Sequence, residues 1–302
     1  MSSMRDLDTE RSQGRADLDL RPTLDLVRLM NQEDATVPAA VGQALPAISR
    51  AIDAIAERMA AGGRLVYVGA GSAGRLGVLD ASECGPTFST PEGQVSALIA
   101  GGPEAVSRAV EGAEDDVEAG AGDLARFGLS DADAVVGISA SGRTPYVLGA
   151  VRYARGRGSL TVGIACNAGT QLGREVDHPI EVGTGPEILA GSTRLKAGSA
   201  QKLILNMIST VVMVRLGKTY GGLMVDLRAT NEKLRDRARR IVAQAGGVED
   251  ERAGSALAEA GGQVKVAVLM VRCGLPAAEA ESILEGAGGN LRRALDRCPE
   301  MP

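Results

Sequence analysis

Apolar residues recur along the first two thirds of the chain in two alternating patterns. Short apolar runs bounded by glycine or polar residues are typical of buried strands. They occupy residues 65–68, 95–100, 134–139, 160–165 and 180–182. Between them, apolar residues three or four positions apart predict amphipathic helices, the longest over 37–61. This alternation predicts an α/β fold, a parallel sheet flanked by helices that binds its ligands at the carboxyl ends of the strands.

A glycine-rich turn follows the run 65–68. The letters GAGSAGR place Gly71, Ser72 and Arg75 between the expected strand and a helix predicted over 75–82. Such a turn offers backbone N–H groups and the positive end of a helix dipole to an anion, typically a phosphate. The spacing also fits the dinucleotide fingerprint, but the run 95–100 ends in glycines without the acid that would bind the ribose. The dinucleotide interpretation is therefore set aside.

A second loop of the same kind follows the run 134–139. The letters SASGRTP place Ser139, Ser141, Gly142 and Thr144 just before Pro145, a residue that favours a helix start. Each loop alone could be an ordinary capping turn. Capping does not explain why two such loops recur at one edge of a sheet, so together they predict a site for a phosphorylated sugar.

Composition and charge exclude several classes of function. A net charge of -5 and an aromatic content of 2% argue against nucleic acid as a partner. The first twenty residues are charged rather than signal-like, and no uninterrupted apolar run is as long as a membrane span, so a cytoplasmic location is expected.

Histidine and cysteine usage narrows the chemistry further. The four cysteines are widely spaced without a CxxC pair, which predicts neither a zinc site nor a disulfide. The single histidine, His178, is interpreted as the residue at the start of a strand. Serine-triad hydrolysis and most metal sites need an imidazole, so we expect no metal and no cofactor. Acid–base chemistry then falls to carboxylates, lysine or tyrosine.

Three ionisable residues are candidates for that chemistry. Glu83 lies in DASEC, where the following CGP is expected to end the helix and hold the carboxylate near the first loop. Glu114 is one of five clustered acids at 111–118, on a helix predicted over 104–118, and a solvated helix face explains that cluster equally well. Lys196 follows Ser192 in a serine-rich turn before a long apolar helix, where it could meet a phosphate or remain an ordinary surface lysine.

The polar pattern also suggests domain limits. Residues 1–20 are charged with little periodicity and predict a flexible arm. Residues 21–236 would form the sugar-phosphate-binding domain, and the short helices after 237 predict a small all-helical C-terminal domain over 237–302.

Four longer stretches resemble one protein family. They read GAGSAGRLGVLDASECGPTF, AGGPEAVSRAVEGAED, SASGRTPYV and TGPEILAGSTRLKAGSAQKLILNMISTVVMVRLGKTYGGLMVDLRATNEKL. From about residue 20 onward the chain is similar to the N-acetylmuramic acid 6-phosphate etherases, which are sugar-isomerase-domain (SIS) proteins. The resemblance implies a three-layer SIS sheet, a UBA-like helical C-terminal domain, and a carbon–oxygen lyase of the hydro-lyase type. Such an enzyme cleaves the D-lactyl ether to N-acetylglucosamine 6-phosphate and D-lactate in peptidoglycan recycling.

The resemblance also implies roles for individual residues. The family's acid corresponds to Glu83, its second carboxylate to Glu114, and its phosphate loop usually reads GAGTSGR, so that Ala73 lacks one hydroxyl here. The second loop usually has alanine where Ser139 stands. A homodimer with a shared site is implied, in which Ser192 to Lys196 would serve the neighbouring subunit.

Two other functions remain open at the level of sequence. An aldose–ketose isomerase of sugar phosphates would suit the same fold and could also use a glutamate base. A non-catalytic sugar-phosphate sensor would need the loops but not the carboxylates. The presence of both DASEC and EGAED argues against the sensor.

Overall fold

The computed structural model describes residues 7–227 and 232–298. The chain divides into two compact units. One consists of the residues up to 82 together with 93–210, and the other consists of 83–92 together with the residues from 211 onward. We call them the sheet unit and the helical unit. The limits expected from the sequence, at 20/21 and 236/237, stay predictions; the second falls within a helix.

The sheet unit is built on five parallel strands among its described residues. They are β1 (Leu65–Gly69), β2 (Val95–Ile99), β3 (Ala134–Ile138), β4 (Leu160–Ala165) and β5 (His178–Glu181). Their order is β2-β1-β3-β4-β5, with Leu65 opposite both Val95 and Ala134. The chain reverses its direction of winding between β1 and β3, and ligands bind at such switch points. His178 begins β5, as the sequence predicted.

Helices cover both faces of this sheet. They are α1 (Thr23–Asp34), α2 (Val37–Gln43), α3 (Leu45–Ala60), α4 (Gly71–Phe88), α5 (Val117–Phe127), α6 (Pro145–Gly156), α7 (Gln171–Glu175) and α8 (Lys196–Arg215). One face is covered by α6, with α5 packed behind it, and α3 packs against β3, β4 and β5. Strands β1, β3 and β4 are fully buried apolar runs, and the sequence predicted all five strands to within two residues at either end.

Helix α8 carries the long apolar pattern noted in the sequence. It is the one helix among the described residues with the length and composition to cross a membrane, yet 56% of its apolar window is buried inside the protein. Ile204, Ile208 and Val212 are fully buried on it. This burial is typical of a core helix in a soluble protein.

Two helix predictions are wrong. Residues 104–118 form no continuous helix; they form 3-10 turns at Pro103–Val106 and Ala113–Asp115, and α5 then begins at 117. Gly112 adopts a left-handed φ of 71°, which no helix interior tolerates, and the side chain of Asp116 caps α5 by accepting from Ala119 N–H. In contrast, α4 begins at Gly71 and continues through Pro86 to Phe88. Pro86 lies in the last turn, so the one intrahelical hydrogen bond that it cannot donate is lost near the end of the helix.

The helical unit contains the C-terminal helices and a short antiparallel hairpin. Its elements are β6 (Thr219–Tyr220), β7 (Leu223–Met224), α9 (Glu232–Gly246), α10 (Asp250–Glu259), α11 (Val264–Cys273), α12 (Ala277–Gly286) and α13 (Leu291–Leu295). Helix α11 supplies much of the core, with Val266, Val268 and Leu269 fully buried.

The expectation that no cysteines pair is wrong for two of the four. Cys273 and Cys298 form a disulfide with 5.8 Å between their Cα atoms, whereas Cys84 and Cys166 are free and buried. Packing of the chain after α13 against the end of α11 brings the pair together, and spacing along the sequence does not reveal that proximity.

Candidate active site

A cavity of about 510 Å³ opens at the carboxyl ends of β1 and β3, within the sheet unit. We call it the sheet-edge cavity. The residues lining it come from six separate segments of the chain. They are Glu10, Ala70, Gly71, Ser72, Ala73, Glu114, Asp115, Ala140, Ser141, Arg143, Thr144, Pro145, Gly191, Thr193 and Gln201.

The first predicted loop contributes the start of α4 to this cavity. Strand β1 ends at Gly69 and α4 begins at Gly71, so the free N–H groups of the first helical turn face the space beyond the strand. Gly71, Ser72 and Ala73 line the cavity. The turn therefore offers backbone donors, one hydroxyl and the positive end of an 18-residue helix to an anion.

The second predicted loop contributes the start of α6. Ser141 and Thr144 line the cavity, while Ser139 is buried and its hydroxyl lies 2.7 Å from Thr144 Oγ1. Gly142 is packed against Thr170, where a Cβ atom would collide, and its φ is 65°. Ser139 and Gly142 thus shape the loop, and Ser141 and Thr144 present hydroxyls to the cavity. The two loops meet because β1 and β3 are neighbouring strands.

Two carboxylates reach the cavity from the 3-10 turn before α5. Glu114 and Asp115 both line it and are exposed to solvent. The segment before this turn is tied to α4 by Arg75, whose guanidinium donates to the carbonyls of Val106 and Arg108 at 3.1 Å each. Arg75 itself does not line the sheet-edge cavity, and its contacts hold the backbone that leads to Glu114.

Glu83 does not line the sheet-edge cavity. It is an exposed residue of α4 and the first residue of the helical unit. It follows Gly71 by twelve residues of one helix, a rise of about 18 Å along the axis. Since α4 continues to Phe88, Glu83 is not at a helix end as the sequence suggested.

Lys196 and Ser192 do not line the cavity either, although Gly191 and Thr193 beside them do. Lys196 is buried, and its ammonium contacts Glu33 at 2.7 Å. Its backbone N–H and that of Ala197 donate to the fully buried Glu187 carboxylate, which caps the start of α8. A role for Ser192 and Lys196 in binding phosphate stays a prediction.

Five polar or charged cavity residues were not given an individual role from the sequence: Glu10, Asp115, Arg143, Thr193 and Gln201. Gln201 is buried, and its Nε2 forms no hydrogen bond with any residue that the structure describes. Arg143 and Gln201 lie inside stretches quoted for the family resemblance, so that signal could have found them. Glu10 lies in a segment without periodicity, and nothing local marks it.

The flexible arm expected over residues 1–20 stays a prediction, and part of this segment contacts the rest of the sheet unit. Residues 1–6 of the expected flexible arm lie outside the described residues, and residues 7–15 pack against the sheet unit. Leu7 and Thr9 are buried, and Gln13 donates to Pro186 C=O at 2.8 Å. The burial of these two side chains and the hydrogen bond of Gln13 attach residues 7–15 to the rest of the unit, which their charged sequence does not suggest.

The lining of the cavity combines opposite charges. It contains three acids, Glu10, Glu114 and Asp115, and one base, Arg143. Among the residues that the structure describes, no group of three or more His, Cys, Asp or Glu side chains is arranged to hold a metal ion. The site is suited to an anion at the helix starts and to proton transfer by the carboxylates that line the same cavity.

Comparisons with known proteins agree with this geometry. The glucokinase regulatory protein N-terminal SIS domain matches residues 47–155, and the SIS domain matches residues 118–211. Among solved structures, a phosphoheptose isomerase from Francisella tularensis has a TM-score of 0.49 at 19% identity, covering 64% of this chain and 100% of that one. The two family matches together cover residues 47–211, which include all five parallel strands, and they identify the sheet unit as a SIS domain.

Full-length relatives are far more similar. The chain is 62% identical over 284 residues to the N-acetylmuramic acid 6-phosphate etherase of Streptomyces avermitilis, covering 94% of this chain and 91% of that protein. It is 61% identical over 285 residues to the etherase of the same name from Rubrobacter xylanophilus, covering 94% of each. Identity at this level over nearly the whole length shows that the chain belongs to the N-acetylmuramic acid 6-phosphate etherase family.

Proposed function

We propose that the protein cleaves the lactyl ether of N-acetylmuramic acid 6-phosphate, in amino-sugar recycling. The observation that carries the proposal is full-length similarity to etherases of that name, together with a sugar-phosphate-sized cavity in the SIS domain. The products are N-acetylglucosamine 6-phosphate and D-lactate, and the reaction is a lyase-type elimination followed by addition of water. We place the reaction in the cytoplasm.

The phosphate binds where the starts of α4 and α6 meet. Backbone N–H groups of both first turns and the hydroxyls of Ser72, Ser141 and Thr144 donate to its oxygens. Ala73 supplies no hydroxyl, but it stands in the first turn of α4, where backbone donors and the helix dipole remain. Loss of that hydroxyl is therefore compatible with phosphate binding.

The chemistry is carried by carboxylates. A base removes the proton at C2 of the open-chain sugar, and the C3–O bond breaks with its electron pair passing to the ether oxygen. An acid, which we assign to Glu83, protonates that oxygen as lactate leaves. Water then adds across the C2–C3 double bond. Glu114 is the second carboxylate, and it stands in the sheet-edge cavity with the phosphate loops.

Glu83 and Glu114 act together in a site shared between two subunits of a homodimer. Glu114 lines the sheet-edge cavity of its own chain, whereas Glu83 does not. A second copy of the chain is the simplest source of the missing carboxylate. Leu24 and Val27 are exposed apolar residues three positions apart on α1, so they lie on one helix face that such a contact could cover.

Incubation of the purified protein with N-acetylmuramic acid 6-phosphate tests the proposed reaction. We expect release of D-lactate and N-acetylglucosamine 6-phosphate in equal amounts, with incorporation of one solvent oxygen into the sugar. A ketose phosphate formed without lactate would indicate an isomerase instead. Ligand binding without any turnover would indicate a sensor.

Substitution of each carboxylate tests the assignment of residues. Glu83→Gln and Glu114→Gln keep the size of the side chain and replace the ionisable carboxyl group by an amide that cannot act as acid or base, so we expect kcat to fall by about 100-fold or more in each. Glu111→Gln is the matched control, since Glu111 is an exposed acid three residues before Glu114 that does not line the cavity. Full activity in either catalytic variant would exclude that residue from the mechanism.

A further inference from the structure

The sheet-edge cavity contains a third carboxylate for which the proposed elimination has no use. Glu10 comes from the N-terminal segment, more than one hundred residues before Glu114 in the sequence, and lines the same cavity. Its side chain is half-buried, and Oε2 lies over Gly191, 3.1 Å from the position a Cβ on that glycine would occupy. The carboxylate is thus held against the cavity wall.

The backbone that carries Glu10 is fixed by its neighbour. Thr9 is fully buried, its N–H donates to Asn167 Oδ1 at 3.3 Å, and Asn167 Nδ2 donates to Thr9 Oγ1 at 3.0 Å. Asn167 is itself buried just after β4 and also donates to Ala140 C=O at 2.9 Å, in the second phosphate loop. The N-terminal segment is therefore anchored to the loop that binds the phosphate.

The Glu10 carboxylate has no partner of its own within residues 7–227 and 232–298: no ion pair and no side-chain hydrogen bond is formed there. By contrast, Glu33 has Lys196 and Arg15 as ion-pair partners. A half-buried carboxylate loses part of its hydration and is compensated only when it accepts hydrogen bonds. Glu10 thus has acceptor capacity directed at the contents of the cavity.

The charges around the cavity limit which groups of the substrate could donate hydrogen bonds to the Glu10 carboxylate. The substrate carries a phosphate and a lactyl carboxylate, and a third acid close to either anion would be repulsive. The uncharged donors of the substrate are its hydroxyl groups and its acetamido N–H. These are the groups that a carboxylate recognises by charge-assisted hydrogen bonds.

We propose that Glu10 is a specificity-determining residue that accepts hydrogen bonds from the hydroxyl or acetamido N–H groups of the bound sugar. The proposal rests on the proposed function, because it takes an N-acetylated sugar phosphate as the ligand. Glu10 contributes recognition of the sugar, and the starts of α4 and α6 bind the phosphate. The N-terminal segment is accordingly part of the binding site.

Calorimetric titration of full-length protein with two ligands, N-acetylglucosamine 6-phosphate and inorganic phosphate, tests the proposal. For Glu10→Ala we expect Kd for the sugar phosphate to rise about tenfold or more, the loss of one hydrogen bond to a charged acceptor. Kd for inorganic phosphate should not rise, since that ligand lacks the groups that Glu10 binds. Glu10→Gln keeps an acceptor oxygen and should show a smaller loss.

Asp8→Ala is the matched control. Asp8 lies in the same 3-10 turn, is exposed, and pairs with Arg11 at 2.9 Å without lining the cavity. We expect both of its Kd values to equal those of the wild type. Unchanged affinity for the sugar phosphate in Glu10→Ala would overturn the proposal alone. Equal weakening of both ligands would also overturn it, since that result marks a structural role.

The outcome for the wild type separates this proposal from the one on which it rests. If the wild-type protein releases no lactate and binds no N-acetylglucosamine 6-phosphate, the proposed function fails and the role of Glu10 fails with it. If the wild type is active and binds the sugar phosphate, only the comparison between Glu10→Ala and Asp8→Ala decides the role of Glu10.

Discussion

Glu33 is the centre of a charged cluster at the edge of the SIS domain. It accepts from Lys196 Nζ at 2.7 Å, Arg15 at 2.8 Å and Gln13 at 3.1 Å. Burial alone would raise the pKa of Glu33, but the hydrogen bonds and positive charges outweigh it and hold that pKa below its ordinary value. The cluster therefore stabilises the folded protein when Glu33 is ionised.

Replacement of Lys196 tests whether this cluster is structural. Lys196→Met removes the buried ammonium and leaves Glu33 with Arg15, so we expect the free energy of unfolding at pH 7 to fall by about 2–4 kcal/mol. Because the folded pKa of Glu33 is depressed, its contribution is present above the unfolded pKa and is lost as the pH falls through the folded pKa. The difference between wild type and variant should therefore shrink below about pH 4 in urea unfolding.

The same variant tests the predicted phosphate role of Lys196. A structural lysine leaves Kd for inorganic phosphate close to the wild-type value once the protein is folded. Lys202→Met serves as the control, since Lys202 is an exposed lysine six residues further along α8. A loss of phosphate affinity in Lys196→Met, with stability unchanged, would support the prediction made from the sequence and contradict a structural role.

At the scale of elements, Asp80 joins β1, α4 and α8. Its buried carboxylate accepts from Tyr67 OH at 2.8 Å, from Asn206 Nδ2 at 2.8 Å and from Ser209 Oγ at 3.1 Å. Burial raises the pKa of Asp80, although the three hydrogen bonds favour its charged form. One side chain thus holds α4, whose first turn lines the sheet-edge cavity, against its neighbours.

Asp80→Ala should weaken the packing of β1, α4 and α8 against one another. The substitution leaves three donors without an acceptor in a buried setting, so we expect a loss of about 3 kcal/mol in the free energy of unfolding. Denaturant unfolding measures it, with Ser82→Ala as the control, because Ser82 is exposed on the same helix. Equal unfolding midpoints for Asp80→Ala and the wild type would show that these hydrogen bonds contribute little.

How far the elements could be predicted depends on how each is stabilised. The strands were predicted well because a strand buried on both faces needs a continuous apolar run, as at 134–138. The segment 104–118 was predicted wrongly because its acids and alanines suit a helix, while the left-handed backbone at Gly112 does not. The helix was predicted from the periodicity of the side chains, and that periodicity gives no information on the backbone angle at Gly112.

At the scale of the whole molecule, one part of the candidate site could be predicted from the sequence and another part could not. The two phosphate loops could be predicted to meet, since each follows a strand of one parallel sheet. Glu10 could not be predicted, because its place depends on burial of Thr9 against Asn167, a contact between residues 158 positions apart. The Cys273–Cys298 disulfide likewise depends on packing among the C-terminal helices.

Mixing two inactive variants tests whether the site is shared between subunits. Glu83→Gln and Glu114→Gln homodimers each carry one defect in every site. If one chain gives Glu83 and the other gives Glu114, a mixed dimer has one site with both defects and one intact site. Half of randomly mixed dimers are mixed, so we expect activity to return to about one quarter of the wild-type rate after subunit exchange.

The exchange experiment also separates a shared site from a site within one chain. In the second case every site of a mixed dimer retains one defect, so activity would stay at the level of the separate variants. A Leu24→Glu, Val27→Glu variant places charges on this exposed apolar face of α1 and should reduce both the dimer mass in light scattering and the activity. Its affinity for inorganic phosphate should persist, because the starts of α4 and α6 belong to one chain. A fully active monomer would exclude the shared site.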